Sequence, residues 1–161
     1  MSQTAIHISL TEQRLKLYED AEEKISFAIS TALNGAGECI GSGCTPRGEH
    51  KIKIKIGAGC AEGSVFVGRR STGEIYSAQL AELYPERDWI LTRILWITGV
   101  KSGFNRGGDV DTLRRMIYIH GTPDSELMGE AKSHGCIRMR NQDMVELFDQ
   151  VVHSTPVFIE E

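Results

Sequence analysis

Lys51–Ile56 reads KIKIKI, an unbroken alternation of apolar and charged residues. Successive side chains of a β-strand point to opposite faces, so this period predicts a strand with isoleucines toward a core and lysines toward water. Ala5–Ser9 (AIHIS) and Arg14–Tyr18 (RLKLY) alternate likewise across a polar turn, which predicts a hairpin. Lys24–Thr31 (KISFAIST) reads as the next strand. Trp89–Thr98 (WILTRILWIT) reads as a bent strand, with a short buried helix as the alternative. Met116–Ile119 reads as a buried strand delivering His120 at its end, and Pro156–Ile159 as a closing strand. Glycine-rich loops occupy 34–48 and 99–112, and residues 57–88 mix short strand and loop signals. Helical spacing is clear only in Gln142–His153, where Met144, Val145, Phe148, Val151 and Val152 form a core face behind Asn141 as N-cap. The fold class is mainly β, with one or two helices.

A chain of 161 residues with 40% hydrophobic and 25% charged residues is a globular one, and without repeats or a linker it forms one domain, 1–161. The net charge of −4 argues against a nucleic-acid binder, which needs a basic face. No apolar run reaches membrane-spanning length, so no membrane partner is expected. Met1–Leu10 shows no basic segment leading into an apolar one; with Met1 as the native start, a cytoplasmic location is expected. In that compartment thiols stay reduced, so Cys39, Cys44 and Cys60 read as structural or incidental.

Chemistry concentrates in His120–Asn141, HGTPDSELMGEAKSHGCIRMRN. Cys136 lies in a Ser133-His134-Gly135-Cys136 turn, and an imidazole is the commonest activator of a thiol near neutral pH. Gly135 leaves room for backbone N–H groups to face an oxyanion. Both His134 and His120 are candidates for the base, and residue chemistry alone does not choose between them. Zinc on His120, His134 and Cys136 lacks an evident fourth ligand, so neither metal nor cofactor is expected. His7, His50 and His153 carry no motif and read as surface or half-buried bystanders; Tyr118 and Trp89 read as core.

Ser133-His134-Gly135-Cys136-Ile137-Arg138 resembles the signature of the YkuD-type L,D-transpeptidase catalytic domain. The resemblance runs over nearly the whole chain. It takes in Ser30-Thr31 and the glycine loop after it, Thr45-Pro46-Arg47-Gly48, Asp88-Trp89-Ile90-Leu91, Gly107-Gly108, His120-Gly121-Thr122 and the strand after the helix. It implies a YkuD-like β-sandwich or barrel of mixed sheets. It also implies Cys136 as nucleophile and His120 as base, its imidazole held by the Gly121 carbonyl. Ser133, His134 and Gly135 then line the nucleophile turn and oxyanion site, and Arg138 sits in the active site. The sequence departs from the family in a short 121–132 loop and in the lack of an export signal and a peptidoglycan-binding module, where most relatives work outside the cytoplasmic membrane.

The reaction so implied is ping-pong acyl transfer on peptidoglycan stem peptides. Cys136 attacks the carbonyl of the L-centre, D-alanine leaves, and water or an amine resolves the thioester. A cytoplasmic location favours an L,D-carboxypeptidase that trims tetrapeptide muropeptides during recycling. The alternatives are an L,D-transpeptidase that cross-links stem peptides or exchanges their D-amino acids, and a non-catalytic muropeptide-binding module. Arg138, with Arg106 second, is the candidate to grip the substrate carboxylate.

Overall fold

The first two alternating segments pair as expected. β1 (Thr4–Ser9) and β2 (Arg14–Glu19) run antiparallel, with Ile6 opposite Leu17 and Ile8 opposite Leu15. All four of these side chains are buried in one core. The computed structural model describes residues 3–161. The chain continues through β3 (Glu22–Ser30), β4 (Gly48–Ile56), β5 (Ser64–Val67), β6 (Arg70–Ile75), α1 (Ala78–Leu83), β7 (Ile90–Gly99), β8 (Tyr118–Thr122), β9 (Ile137–Arg140), α2 (Asn141–Gln150) and β10 (Pro156–Glu160).

The strands lie in the order β4-β10-β1-β2-β3-β9-β8-β7, and β7 pairs back onto β4, which closes the sheet and leaves this ring no free edge. The sheet is mixed: β1–β10 and β8–β9 are parallel, and the other pairs are antiparallel. The bend anticipated in Trp89–Thr98 is a bulge at Thr92, whose φ is +76°. It divides β7 between two partners. Ile90 and Leu91 pair with β5 of the β5–β6 hairpin, and Ile94–Gly99 pair with β4. The helix α2 packs on β7, β8 and β9 and adds Met144, Leu147 and Phe148 to the core. Each such side chain contributes roughly 1.5–3 kcal/mol by leaving water.

Three local readings change. In KIKIKI, Ile52 is fully buried and Lys51 and Lys53 are exposed, but a register shift follows and Ile54 is 40% exposed. Lys55 therefore does not face open water. Its Nζ donates to Phe148 O at 2.8 Å and Val151 O at 2.7 Å, satisfying carbonyls that the end of α2 leaves unpaired. The helix is also shorter than its spacing suggested. The backbone turns extended at Val151, so Val152 is exposed and Leu147 takes its place on the core face. Asn141 is the first helical residue and not the cap. Its side chain accepts from Thr92 Oγ1 at 2.6 Å and donates to Asp124 Oδ1 at 3.2 Å, tying the helix start to the β7 bulge. The second helix, α1, is capped by Ser77 Oγ accepting from Leu80 N at 3.1 Å.

His50 is no half-buried bystander. It is 2% exposed, with Nδ1 donating to Gly48 O at 3.0 Å and Nε2 accepting from Thr112 Oγ1 at 3.0 Å. Burial pushes its pKa down to about 4, outweighing the bond to Gly48 O, which favours the charged ring. Between the ordinary histidine value and about 4, the unfolded chain binds a proton that the folded chain refuses. This contribution to stability is complete above pH 6.5 and is lost as pH falls, by roughly 3 kcal/mol at pH 4. Urea unfolding of wild type and His50→Gln at pH 7, 5.5 and 4 should give a steeper acid loss for wild type. Parallel pH dependences would refute the assignment.

Candidate active site

His120 does not end its strand. Met116 lies outside β8, 50% exposed and at φ +57°, and the strand runs from Tyr118 through His120 to Thr122. Its neighbour β9 is parallel, with Ile119 opposite Ile137 and His120 opposite Arg138. Parallel neighbours need a long crossover. Here residues 123–136 run back along the end of β3: Gly129 N donates to Ile29 O at 2.8 Å, and the Lys132 and Ser133 amides donate to Thr31 O at 2.9 and 2.8 Å. Ser30 Oγ adds a bond to Glu130 O at 2.6 Å. The Ser30-Thr31 strand end thus guides the crossover that returns Cys136 to the side of β8.

The turn that carries Cys136 is fixed from both sides. Ser133 Oγ donates to Cys136 O at 2.6 Å and accepts from Gly135 N at 3.2 Å. Thr45 Oγ1, fully buried, donates to Gly135 O at 2.9 Å and accepts from Ala32 N at 3.0 Å. Gly135 has φ +134°, and a Cβ there would lie 3.2 Å from Cys44 O. Gly121 is confined even more tightly: a Cβ would fall 2.6 Å from Leu91 O and 2.5 Å from Asn141 Oδ1. Any side chain at Gly121 would push β8 off β7 beside His120.

Cys136 is half-buried, its Sγ accepting from Tyr118 N at 3.3 Å and donating to Met116 O at 3.4 Å. His120 is buried, with Nδ1 2.6 Å from Gly121 O. A carbonyl only accepts, so Nδ1 carries the proton and Nε2 is the basic nitrogen of the neutral ring. Cys136 and His120 line one cleft of about 160 Å3 with Asp88, Arg115, His134 and Arg138. Burial pushes the His120 pKa down, against the bond to Gly121, and pushes the Cys136 thiol up to about 11, against the bond from Tyr118. Both directions favour the uncharged forms, a thiol and a neutral imidazole lining one cleft.

Arg138, the second residue of β9, lines the same cleft as Cys136, which lies in the turn just before the strand. Its Nη2 donates to Asp88 Oδ1 at 3.4 Å, and 14% of the side chain is exposed. Arg106 is exposed in the loop after β7, and the structure does not bring it to this cleft. His134 is exposed and has no ring partner among the described residues. The arginine that sequence reasoning missed is Arg115. Its guanidinium donates to Gly37 O, Glu38 O, Cys44 O and Ser42 Oγ at 2.6–3.3 Å, binding the glycine-rich loop to the cleft wall. Asp88 was legible only as part of DWIL. Tyr118 is core as expected, in edge contact with Trp96. A larger groove of about 790 Å3 follows β1, β4 and β10 and shares no residue with the cleft. Among the described residues, no group of three or more His, Cys, Asp or Glu is placed to hold a metal ion.

The family model for the YkuD L,D-transpeptidase catalytic domain matches residues 3–159. A curated Bacillus subtilis (strain 168) protein, "Putative L,D-transpeptidase YqjB", is 42% identical over 57 residues, 35% of this chain and 31% of that one. An L,D-transpeptidase structure from Mycobacterium smegmatis superposes with a TM-score of 0.58 at 15% identity, over 99% of this chain and 59% of that one. The Enterococcus faecium L,D-transpeptidase C442S mutant gives 0.59 at 19% identity, over 98% and 50%. The chain thus spans between a third and three fifths of these relatives, and the low structural identities speak for the fold alone. The matched length and the closed mixed sheet agree: this chain belongs to the YkuD family of L,D-transpeptidase catalytic domains.

Proposed function

We propose that this domain is a cysteine acyltransferase acting on the L,D-amide of peptidoglycan stem peptides, with water as the main acceptor. It is then an L,D-carboxypeptidase that converts tetrapeptide to tripeptide and free D-alanine. The observation that carries the reading is one cleft holding the Cys136 thiol and an imidazole whose tautomer leaves Nε2 free. Cys136 Sγ attacks the carbonyl as His120 takes its proton. His120 returns that proton to the departing amine, the C–N bond breaks, and a thioester remains. Water then adds, releasing the carboxylate and regenerating the thiol. Ser133 Oγ already takes the Gly135 amide, so the oxyanion falls to the adjacent His134 and Cys136 amides.

Arg138 supports the choice of substrate. The terminal carboxylate of a tetrapeptide would pair with its guanidinium, whereas a pentapeptide places an amide there and leaves the cation unpaired. The narrow cleft suits the end of a peptide better than a whole glycan. Recycling in the cytoplasm is part of the proposal, supported by four free cysteines, Cys39 among them exposed. The second reading, transpeptidation, is favoured by the names of the relatives.

The test is incubation with disaccharide-tetrapeptide, with and without an acceptor peptide, read by mass spectrometry. Tripeptide and D-alanine should dominate, and a dominant cross-linked dimer would establish transpeptidation instead. Arg138→Ala should slow tetrapeptide cleavage by a charge-assisted hydrogen bond, about 1.5–3 kcal/mol or roughly tenfold to a hundredfold, and narrow the preference over pentapeptide. Equal cleavage of both peptides by wild type would remove the carboxylate clamp.

A further inference from the structure

Asp88 follows α1, and its carboxylate stands at the cleft beside the reacting pair. Among the described residues its only side-chain partner is Arg138 Nη2, at the long distance of 3.4 Å, and 61% of its side chain is exposed. Asp88, His120 and Cys136 line the same cleft, and the Asp88 charge favours the protonated form of both. An exposed ion pair of this length contributes little to stability. Asp88 and Arg138 thus stand side by side at the cleft, each with hydrogen-bonding capacity left over, while the Arg115 guanidinium is taken up by the glycine-rich loop.

We propose that Asp88 and Arg138 form a clip for a free α-amino acid, Asp88 taking the ammonium and Arg138 the carboxylate. The proposal rests on the acyl-transfer reading above. An α-amino acid carries its two opposite charges a few atoms apart, as the clip does, and a peptide lacks the ammonium. Asp88 therefore has its full partner only once the C–N bond has broken, when the leaving residue becomes a zwitterion. By microscopic reversibility, a subsite that stabilises the departing amino acid also receives an incoming one. In that direction the ammonium gives a proton to His120 Nε2. The amine nitrogen attacks the thioester carbonyl, a C–N bond forms and the C–S bond breaks. A second proton from the nitrogen reaches Cys136 Sγ, and the proton on His120 passes to solvent. The products are an amide, the free thiol and one released proton. Asp88 is then a specificity-determining residue that favours amino acids over simple amines as acceptors.

Two measurements test this. The first is binding without turnover, read as protection of Cys136 from iodoacetamide. Free D-methionine should slow the alkylation of wild type at least fivefold at saturation, and D-lactate or methylamine at equal concentration should not. The protection should disappear in Asp88→Asn and in Arg138→Gln. The second is the partition of the acyl-enzyme formed on tetrapeptide in the presence of D-methionine. The exchange-to-hydrolysis ratio should fall about tenfold or more in Asp88→Asn, a ratio independent of how fast the acyl-enzyme forms. No protection by D-methionine, protection that survives Asp88→Asn, or an unchanged partition ratio would overturn the clip. Protection that follows the predicted pattern without any Cys136 acyl-enzyme on tetrapeptide would support the amino-acid subsite and overturn the choice of stem peptide.

Discussion

Cys136→Ala should lower turnover of the tetrapeptide by at least about 10³-fold while leaving the fold intact. The neighbouring groups hold the turn and do not substitute for the thiol. Ser133 Oγ, the nearest hydroxyl in the turn, is buried and already engaged with Cys136 O and the Gly135 amide. Thr45 Oγ1 is engaged with Gly135 O and the Ala32 amide. The truncation removes two weak sulfur hydrogen bonds, to the Tyr118 amide and Met116 O, and one sulfur atom's packing on the Phe66, Ile94 and Tyr118 cluster, so the unfolding midpoint should move little. Circular dichroism and the appearance of tripeptide, measured on one preparation, check both halves. Residual activity above a few per cent of wild type would end the nucleophile assignment. Cys39→Ser, Cys44→Ser and Cys60→Ser serve as controls that keep the thiol of Cys136.

His120→Ala should cost roughly 10²–10⁴-fold in kcat/KM, and His134→Ala less than about tenfold. Of these two, His120 has a bond that sets its tautomer, from Nδ1 to Gly121 O, and its ring is buried in the cleft wall, whereas His134 is exposed. The resting pair is neutral, so the pH signs differ for rate and for alkylation. Burial holds the His120 pKa below its ordinary value. Wild-type kcat/KM should therefore stay level through neutral pH and fall on acidification as the base is protonated. Burial holds the thiol near 11, so alkylation by iodoacetamide should keep rising above pH 9. An alkylation plateau near neutral pH would instead mean a preformed thiolate. A larger rate loss in His134→Ala than in His120→Ala would reverse the assignment of the base.

The strands, the closing helix and the residues of the nucleophile turn could be read from the chain because each rests on local information. KIKIKI, AIHIS and RLKLY state a period, and a period states which face is buried. SHGCIR names a thiol in a glycine turn. Ser30-Thr31 and Thr45-Pro46-Arg47-Gly48 were visible as a strand end and a turn, but not as supports of that turn. Their roles arise from two long-range bonds, Ser30 to Glu130 across 100 positions and Thr45 to Gly135 across 90.

Tertiary structure decided what local pattern leaves open. Residue chemistry did not separate His120 from His134; pairing β8 parallel to β9 gave them different surroundings, one ring buried against a carbonyl and the other exposed. Lys55 has the same alternation as Lys51 and Lys53, yet the β4 bulge and the end of α2 turned it into a helix cap. Arg138 and Arg106 were first and second candidates on the motif alone; the fold brings Arg138 to the cleft of Cys136 and leaves Arg106 in the exposed loop after β7. Asp88 and Arg115 had no sequence signal of their own, since a lone charge in a loop reads the same wherever the loop packs. Periodicity reports the environment of a face; which side chains converge on one cleft depends on strand order and crossover path, and those are fixed only when the whole sheet closes.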